Sequence, residues 1–186
     1  PHPLLMDLSR AIPQASVRRM SIRRHKTVGI DLGTTNTVVA SNFEALHMQG
    51  QGCVMPSAVA YLPSGETLIG KAARRRRGMD PRNTILSAKR IIGARWHSSY
   101  TSQFRQHYPY DLIETAEGEP GFRTRAGVIS PVEVGASVVA GLCAMTKCPV
   151  QDVHAVVTAP VGFDQRRREA TALAVQKARF ATVRTI

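Results

Sequence analysis

The sequence predicts a mixed α/β protein built on one sheet, with an antiparallel hairpin first and parallel crossovers in its second half. Three observations predict this class. Residues 27–32 and 37–40 are β-rich runs separated by Gly33-Thr34-Thr35-Asn36, a turn-forming set. Residues 130–147 combine a helix-start signal with an apolar stripe at helical spacing. Residues 153–158 then form a β-rich run, followed by a second helical stretch and another short β run, the alternation that lays strands down in parallel.

Taken in order, Thr27-Val28-Gly29-Ile30-Asp31-Leu32 alternates apolar with small or polar groups, the period of a strand. Thr37-Val38-Val39-Ala40 returns from the turn, and a third strand is expected at 44–49. Residues 57–62 read as a strand, Pro63-Ser64-Gly65 as a turn and 67–69 as a short strand. Residues 70–95 are helical in character, interrupted by Gly78, Pro81 and Gly93. Residues 97–127 have no strong period and hold Pro109, Gly118, Pro120, Gly121 and Gly127, so short strands and loops are expected. Ser130-Pro131-Val132-Glu133 is a capping box with proline at the first helical position. It opens a helix to about Lys147, with Val134, Val138, Leu142 and Met145 as its apolar stripe. Residues 153–158 read as a buried strand. Asp164 is placed to cap a helix over 165–178, and residues 181–185 begin a further strand.

Hydrophobic residues make up 43% of the chain, enough for a buried core. No apolar run approaches the length that spans a bilayer. Cys53, Cys143 and Cys148 form no repeated CxxC, which argues against a disulfide framework and for a reducing compartment. Cys143 and Cys148 have no nearby histidine pair, so zinc is not expected and Cys143 is assigned to helix core. The net charge of +12 invites a nucleic-acid reading. The charge is clustered, however. Residues 1–26 hold six basic groups against Asp7, residues 71–77 hold five, and Arg166, Arg167 and Arg168 are adjacent. The remaining eleven basic residues face twelve acids. Without an aromatic stripe, such clusters read as solvated faces or tails, and nucleic acid is the rival partner, not the expected one. Residues 1–26 are expected to be a basic disordered tail. Their arginine-rich, acid-poor composition also resembles a mitochondrial presequence, which makes the matrix the alternative to a cytoplasmic location.

The stretch Val28-Gly29-Ile30-Asp31-Leu32-Gly33-Thr34-Thr35-Asn36-Thr37 carries the chemistry. Asp31 falls near the end of an apolar strand, where an unpaired carboxylate is costly and often serves a metal ion. Gly33 lets backbone approach a ligand closely. Amides and hydroxyls of Thr34 and Thr35 at a turn can cradle phosphate oxygens, and a carboxylate beside them can hold hydrated magnesium. Spacing alone also fits a plain β-hairpin, and favours it, because Asp and Gly-Thr turns are common. No GxxxxGK[ST] loop is present, Gly50-Gln51-Gly52 lacks the third glycine of a dinucleotide fingerprint, and Gly135-Ala136-Ser137 lacks the second glycine of a nucleophile elbow.

Five ordered segments go further. Gly29 to Thr37 resembles the first phosphate signature of the seventy-kilodalton heat-shock chaperones (DnaK type). Pro56-Ser57-Ala58-Val59-Ala60-Tyr61, Gly65-Glu66-Thr67-Leu68-Ile69-Gly70-Lys71-Ala72-Ala73 and Asn83-Thr84-Ile85-Leu86-Ser87-Ala88-Lys89-Arg90-Ile91-Ile92-Gly93 resemble the segments that follow in that family. The fifth match is the family's strand–proline–helix segment, which Val156-Val157-Thr158-Ala159-Pro160 and Arg168-Glu169-Ala170-Thr171 together resemble. The resemblance covers residues 27–186 and implies one lobe of an actin-like (ribonuclease H-like) ATPase. Residues 27–55 and 127–186 would form its base subdomain and residues 56–126 an inserted α+β upper subdomain.

The resemblance also implies roles. Asp31 would organise magnesium through water, and Gly33, Thr34, Thr35 and Asn36 would bind the phosphates of ATP or ADP. Lys89 would reach the γ-phosphate, a catalytic role with Asp31. Pro160 and Arg168 would relay nucleotide state. Unfolded polypeptides, J-domain co-chaperones and nucleotide-exchange factors are the partners it implies for the whole protein. Two features depart from the family pattern: Val161-Gly162-Phe163 stands where Ala-Tyr-Phe is usual, and the run Arg74 to Arg77 is heavier in arginine. The family continues past the position of Ile186 into a glutamate segment, a second phosphate loop, an adenosine motif and a peptide-binding domain. The expectation is therefore an ATP-binding fragment, truncated and with little or no ATPase activity alone. An inactive fragment or a basic nucleic-acid-binding piece is the alternative.

Overall fold

Alternation along the first strand sets the main sheet of the computed structural model, which describes residues 26–42, 44–48, 52–148, 150 and 153–186. The tail expected over residues 1–26 lies outside the described residues, Lys26 excepted. Strand β1 (Lys26–Leu32) buries Val28, Ile30 and Leu32 and leaves Thr27, Gly29 and Asp31 exposed. It pairs antiparallel with β2 (Asn36–Ser41), Ile30 opposite Val39 and Leu32 opposite Thr37, which is the expected hairpin. Strand β3 (Glu44–Ala45) is shorter than the 44–49 expected. The chain leaves the ladder after Ala45, although the Leu46 amide still donates to the Val39 carbonyl at 2.8 Å; Gln49 lies outside the described residues. Strand β4 (Met55–Pro56) pairs with the start of β2.

The middle of the chain carries two small sheets. In the first, β5 (Ala58–Tyr61) lies between β6 (Thr67–Ile69) and a strand further along the chain. Only part of the helical reading of 70–95 holds. Helix α1 (Lys71–Arg76) ends before Gly78, and Pro81–Asn83 is a 3-10 turn. Residues expected to be helical instead form β7 (Thr84–Leu86), with Ile85 opposite Val59 and fully buried. Pairing with a distant, buried strand overrides local helical character here. A second 3-10 turn, Ala88–Ile91, follows.

The short strands expected over 97–127 are present, but an unexpected helix precedes them. Helix α2 (Ser99–His107) starts at Ser98, whose hydroxyl accepts from the Thr101 amide at 3.3 Å. Its signal was the four-residue spacing of Tyr100, Phe104 and Tyr108, hidden in a polar stretch. Strands β8 (Leu112–Glu114), β9 (Pro120–Thr124) and β10 (Gly127–Ile129) form the second small sheet. Phe104 stacks on Tyr108 at 4.2 Å between ring centroids, and Tyr110 meets Phe122 edge-on at 5.4 Å.

Helix α3 (Pro131–Thr146) begins on the predicted capping box. The Ser130 hydroxyl accepts from the Glu133 amide at 3.1 Å, and the Glu133 carboxylate accepts from the Ser130 amide at 2.8 Å. Val134, Val138 and Leu142 are buried, Met145 is half-buried, and Lys147 ends the helix in the left-handed region. Cys143 is buried in the helix core as expected. Ser130→Ala is expected to lower the unfolding free energy by about 1 kcal/mol, read as a lower midpoint in urea at unchanged slope.

Strand β11 (Val153–Val157) runs parallel to β1 and buries Val153, Ala155 and Val157, while His154 and Val156 stay half-exposed. The expectation of a strand buried on both faces is thus corrected. Helix α3 and α4 (Gln165–Gln176) pack against each other on one face of the sheet, and among the described residues no element covers His154 and Val156 to the same degree. Asp164 caps α4, accepting from the Arg167 amide at 2.9 Å. Strand β12 (Thr182–Thr185) completes the order β12-β11-β1-β2-β3 and is parallel to β11. One apolar core runs from the main sheet through Ile85 and Ile91 to Phe104 and Phe122. Among the described residues, no helix is long and apolar enough to cross a membrane.

Candidate functional site

The turn between β1 and β2 is held shut by close backbone approach. A Cβ on Gly33 would lie 2.1 Å from the Asn36 carbonyl oxygen, so a side chain there would force the tip open. Ser57, just before β5, pins the tip from below. Its hydroxyl donates to the Gly33 carbonyl at 2.8 Å, its amide donates to the Thr35 carbonyl at 2.8 Å, and its oxygen lies 2.9 Å from that of Thr37. Thr35 and Asn36 remain exposed and Thr34 half-buried. The result is a rigid, polar, glycine-tight turn.

Asp31 is on the exposed face of β1, not in the apolar setting expected of it. Its neighbours Ile30 and Leu32 carry the buried face, so the desolvation cost invoked for it does not arise. The Thr158 hydroxyl donates to its Oδ1 at 3.0 Å, and the Thr158 amide donates to the Ile30 carbonyl at 3.1 Å. Thr158 thus orients the carboxylate from the end of β11, a contact between strands that sequence spacing cannot show.

Lys89 lies on the 3-10 turn Ala88–Ile91 and is only 8% exposed. Its ammonium is 5.7 Å from the centre of the Phe163 ring. Burial lowers its pKa, the Asp31 charge pulls it back up, and the Arg167 charge lowers it further. A cleft of about 520 Å³ opens here, with Thr34, Lys89, Tyr100, Pro160, Phe163 and Arg167 among its walls. Lys89 and Gly33 also share the wall of a small gap behind it.

The fold therefore brings Gly33, Thr34, Lys89 and Pro160 together, with Asp31 close enough to act on the Lys89 charge. Arg168 is exposed and stands aside from the cleft wall. Its guanidinium donates to the Phe163 carbonyl at 2.9 Å and the Val161 carbonyl at 3.2 Å, tying the turn that carries Pro160 to α4. Sequence reasoning assigned no role to Thr158, Phe163 or Arg167. A buried cation on the cleft wall, with Thr34 of a turn rich in hydroxyls and amides beside it and a carboxylate near enough to act on its charge, is chemically suited to phosphate oxygens and a hydrated divalent cation.

A family model described as "Hsp70 protein" matches residues 27–186. The chain belongs to the Hsp70 family. Among curated Hsp70 relatives, the chaperone protein HscA homolog of Cupriavidus pinatubonensis (strain JMP 134 / LMG 1197) is 39% identical over 170 residues, covering 88% of this chain and 27% of that protein. The HscA homologs of Burkholderia mallei (strain SAVP1) and Burkholderia pseudomallei (strain K96243) match with the same identity and coverage. This Hsp70 chain thus spans 27% of the length of these relatives. The matched stretch is the N-terminal ATPase region of an Hsp70 protein.

Proposed function

We propose that this chain supplies the phosphate-binding side of an ATP site in one actin-like lobe of a chaperone ATPase. The observation that carries the reading is the convergence of Thr34, Lys89 and Pro160, from three distant segments, on one cleft beside Asp31. Gly33, Thr34, Thr35 and Asn36 bind the phosphates, and Lys89 offers its ammonium to charge developing on the transferred phosphoryl group. Asp31 has one oxygen held by Thr158 and is otherwise open to solvent, which fits a magnesium ion that keeps most of its water. Magnesium, when bound, neutralises phosphate charge. Pro160 and Arg168, joined through Phe163, whose amide donates to the Pro160 carbonyl and whose carbonyl accepts from Arg168, transmit the state of the site to the rest of the protein.

The same reading takes residues 27–55 and 127–186 as the base subdomain and residues 56–126 as an insertion. That most of the main sheet comes from residues 26–45 and 153–185, and the small sheets from residues 58–124 apart from β10 (Gly127–Ile129), which falls on the base side of the boundary but pairs with β9, supports it. In the whole protein, ATP hydrolysis would drive folding of unfolded polypeptides, with J-domain co-chaperones and nucleotide-exchange factors as partners.

Calorimetric titration of the 186-residue chain with ATP, with and without magnesium, tests the reading. Saturable one-to-one binding that strengthens with magnesium is expected, weaker than about 1 μM because the assigned residues meet only phosphate. Asp31→Asn should remove the magnesium dependence. Titration with duplex DNA at two salt concentrations runs beside it. Absence of saturable ATP binding, whether or not steeply salt-dependent DNA binding appears, would overturn the reading.

A further inference from the structure

Three adjacent arginines open α4 and point in different directions. Arg166 pairs with Glu119, and Arg168 holds the turn before the helix. Arg167 turns inward and is 5% exposed. Among the described residues, no carboxylate lies within ion-pair distance of it. A guanidinium taken out of water without a counter-charge is costly unless fixed dipoles replace its hydration. Here they do. Its Nε donates to the Ile92 carbonyl at 3.3 Å, and one terminal nitrogen donates to the Arg90 carbonyl at 2.8 Å and approaches the Lys89 carbonyl at 3.5 Å. Its flat faces meet aromatic rings, with Cζ 3.8 Å from the Phe163 centroid and 4.3 Å from that of Tyr100.

All three acceptors belong to one short segment, the 3-10 turn that carries Lys89 and the residue just after it. Such a turn is short and poorly bonded: its own amides give Arg90 to Ser87 at 3.0 Å and Ile92 to Lys89 at 3.4 Å. A capped helix of twelve residues stands on the other side of the guanidinium. Phe163 lies against both cations, since its ring is also the one nearest the Lys89 ammonium. From this geometry we infer that Arg167 is the positioning residue for Lys89: it clamps the turn to α4, between Tyr100 and Phe163, and so fixes where the Lys89 ammonium stands in the cleft. The inference rests on the reading of Lys89 as the phosphate-facing lysine, but the clamp itself is a property of this chain without ligand.

The test is trace acetylation of the intact chain with acetic anhydride, scored at each lysine by mass spectrometry, in Arg167→Met and Arg167→Lys. Methionine keeps the apolar bulk and lysine keeps the charge, but neither can supply the fork of donors. In Arg167→Lys, which keeps the charge that lowers the Lys89 pKa, acetylation of Lys89 relative to exposed Lys177 should rise about tenfold, the factor that loss of one charge-assisted hydrogen bond is worth; in Arg167→Met the rise should be smaller, because losing that charge also raises the Lys89 pKa. Exchange of the Ile92 and Ala94 amides should quicken by a similar factor while β1 and β11 amides stay protected. Unchanged Lys89 labelling in folded variants, with Arg167 merely filling space, would overturn the inference. If neither variant folds, the native chain decides: the Arg167 Nε–H should exchange far more slowly than that of Arg168, and equal rates would overturn it. No nucleotide enters the labelling, so failure of ATP to bind would sink the assigned function and leave this result standing.

Discussion

Replacing Lys89 with methionine is expected to lower ATP turnover by about 10²–10³-fold without destabilising the fold. Turnover would be followed as phosphate release in an ATPase domain built by continuing this chain with the remaining segments of an HscA homolog. Stability would be followed by urea unfolding of the 186-residue chain. The two halves of the expectation have one cause. Lys89 is almost fully buried, and that burial pushes its pKa down, which means the folded state holds its charge at a cost. The favourable contacts are the Phe163 ring face at 5.7 Å and the charge of Asp31, which is exposed and therefore a weak partner. An apolar side chain of similar length removes the desolvation cost along with those gains, so stability should stay within about 1 kcal/mol. In the reaction the same ammonium has no substitute, because a phosphoryl oxygen gaining charge needs a cation already in place. Unchanged turnover would remove Lys89 from the chemistry. A loss of several kcal/mol would make it a structural residue instead.

The parts of this fold legible in the sequence are those specified by neighbouring residues. The turn at Gly33 to Asn36, the capping box at Ser130, the cap at Asp164, the alternation of β1 and the continuous β-rich run of β11 all act over a few positions, and each element appears where those signals place it. Residues 70–127 were less legible because their partners are far away. Thr84-Ile85-Leu86 becomes a strand only because Val59 lies beside it, and α2 is held by Phe104 meeting Tyr110 and Phe122. At the site, residue types were legible but surroundings were not. Which face of β1 is covered depends on α3 and α4, so the sequence could not say that Asp31 would meet solvent. The surroundings of Lys89 come from much later in the chain: the Phe163 ring faces its ammonium, and Arg167 donates to the carbonyls of its turn. Arg166, Arg167 and Arg168 read as one basic cluster, yet helical geometry turns each about 100° from the last, and they take three separate partners.

Gly93→Ala should be among the most disruptive single-methyl changes in the chain, lowering the unfolding free energy by about 2–4 kcal/mol. Gly93 follows the Lys89 turn with φ of 65°, in the left-handed region that favours glycine. Space is also lacking. A Cβ there would lie 2.9 Å from the Ala170 Cβ, 2.9 Å from the Arg167 Cα and 3.0 Å from the Arg166 carbonyl oxygen. Two of these atoms are helix backbone, which cannot swing aside like the end of a side chain. To admit the methyl group, α4 must move away from the turn, and that motion draws Arg167 off the carbonyls of Lys89, Arg90 and Ile92. Stability and the position of Lys89 should therefore fail together, with a lower midpoint in urea and faster acetylation of Lys89 in the same variant. Gly78→Ala is the matched control. No atom lies within 4 Å of a Cβ at that position, and its φ is outside the left-handed region, so the change should be neutral or slightly stabilising. Were Gly93→Ala to unfold at the same urea concentration as Gly78→Ala, with Lys89 still protected, the close approach of α4 to the Lys89 turn could not be what holds that lysine in place.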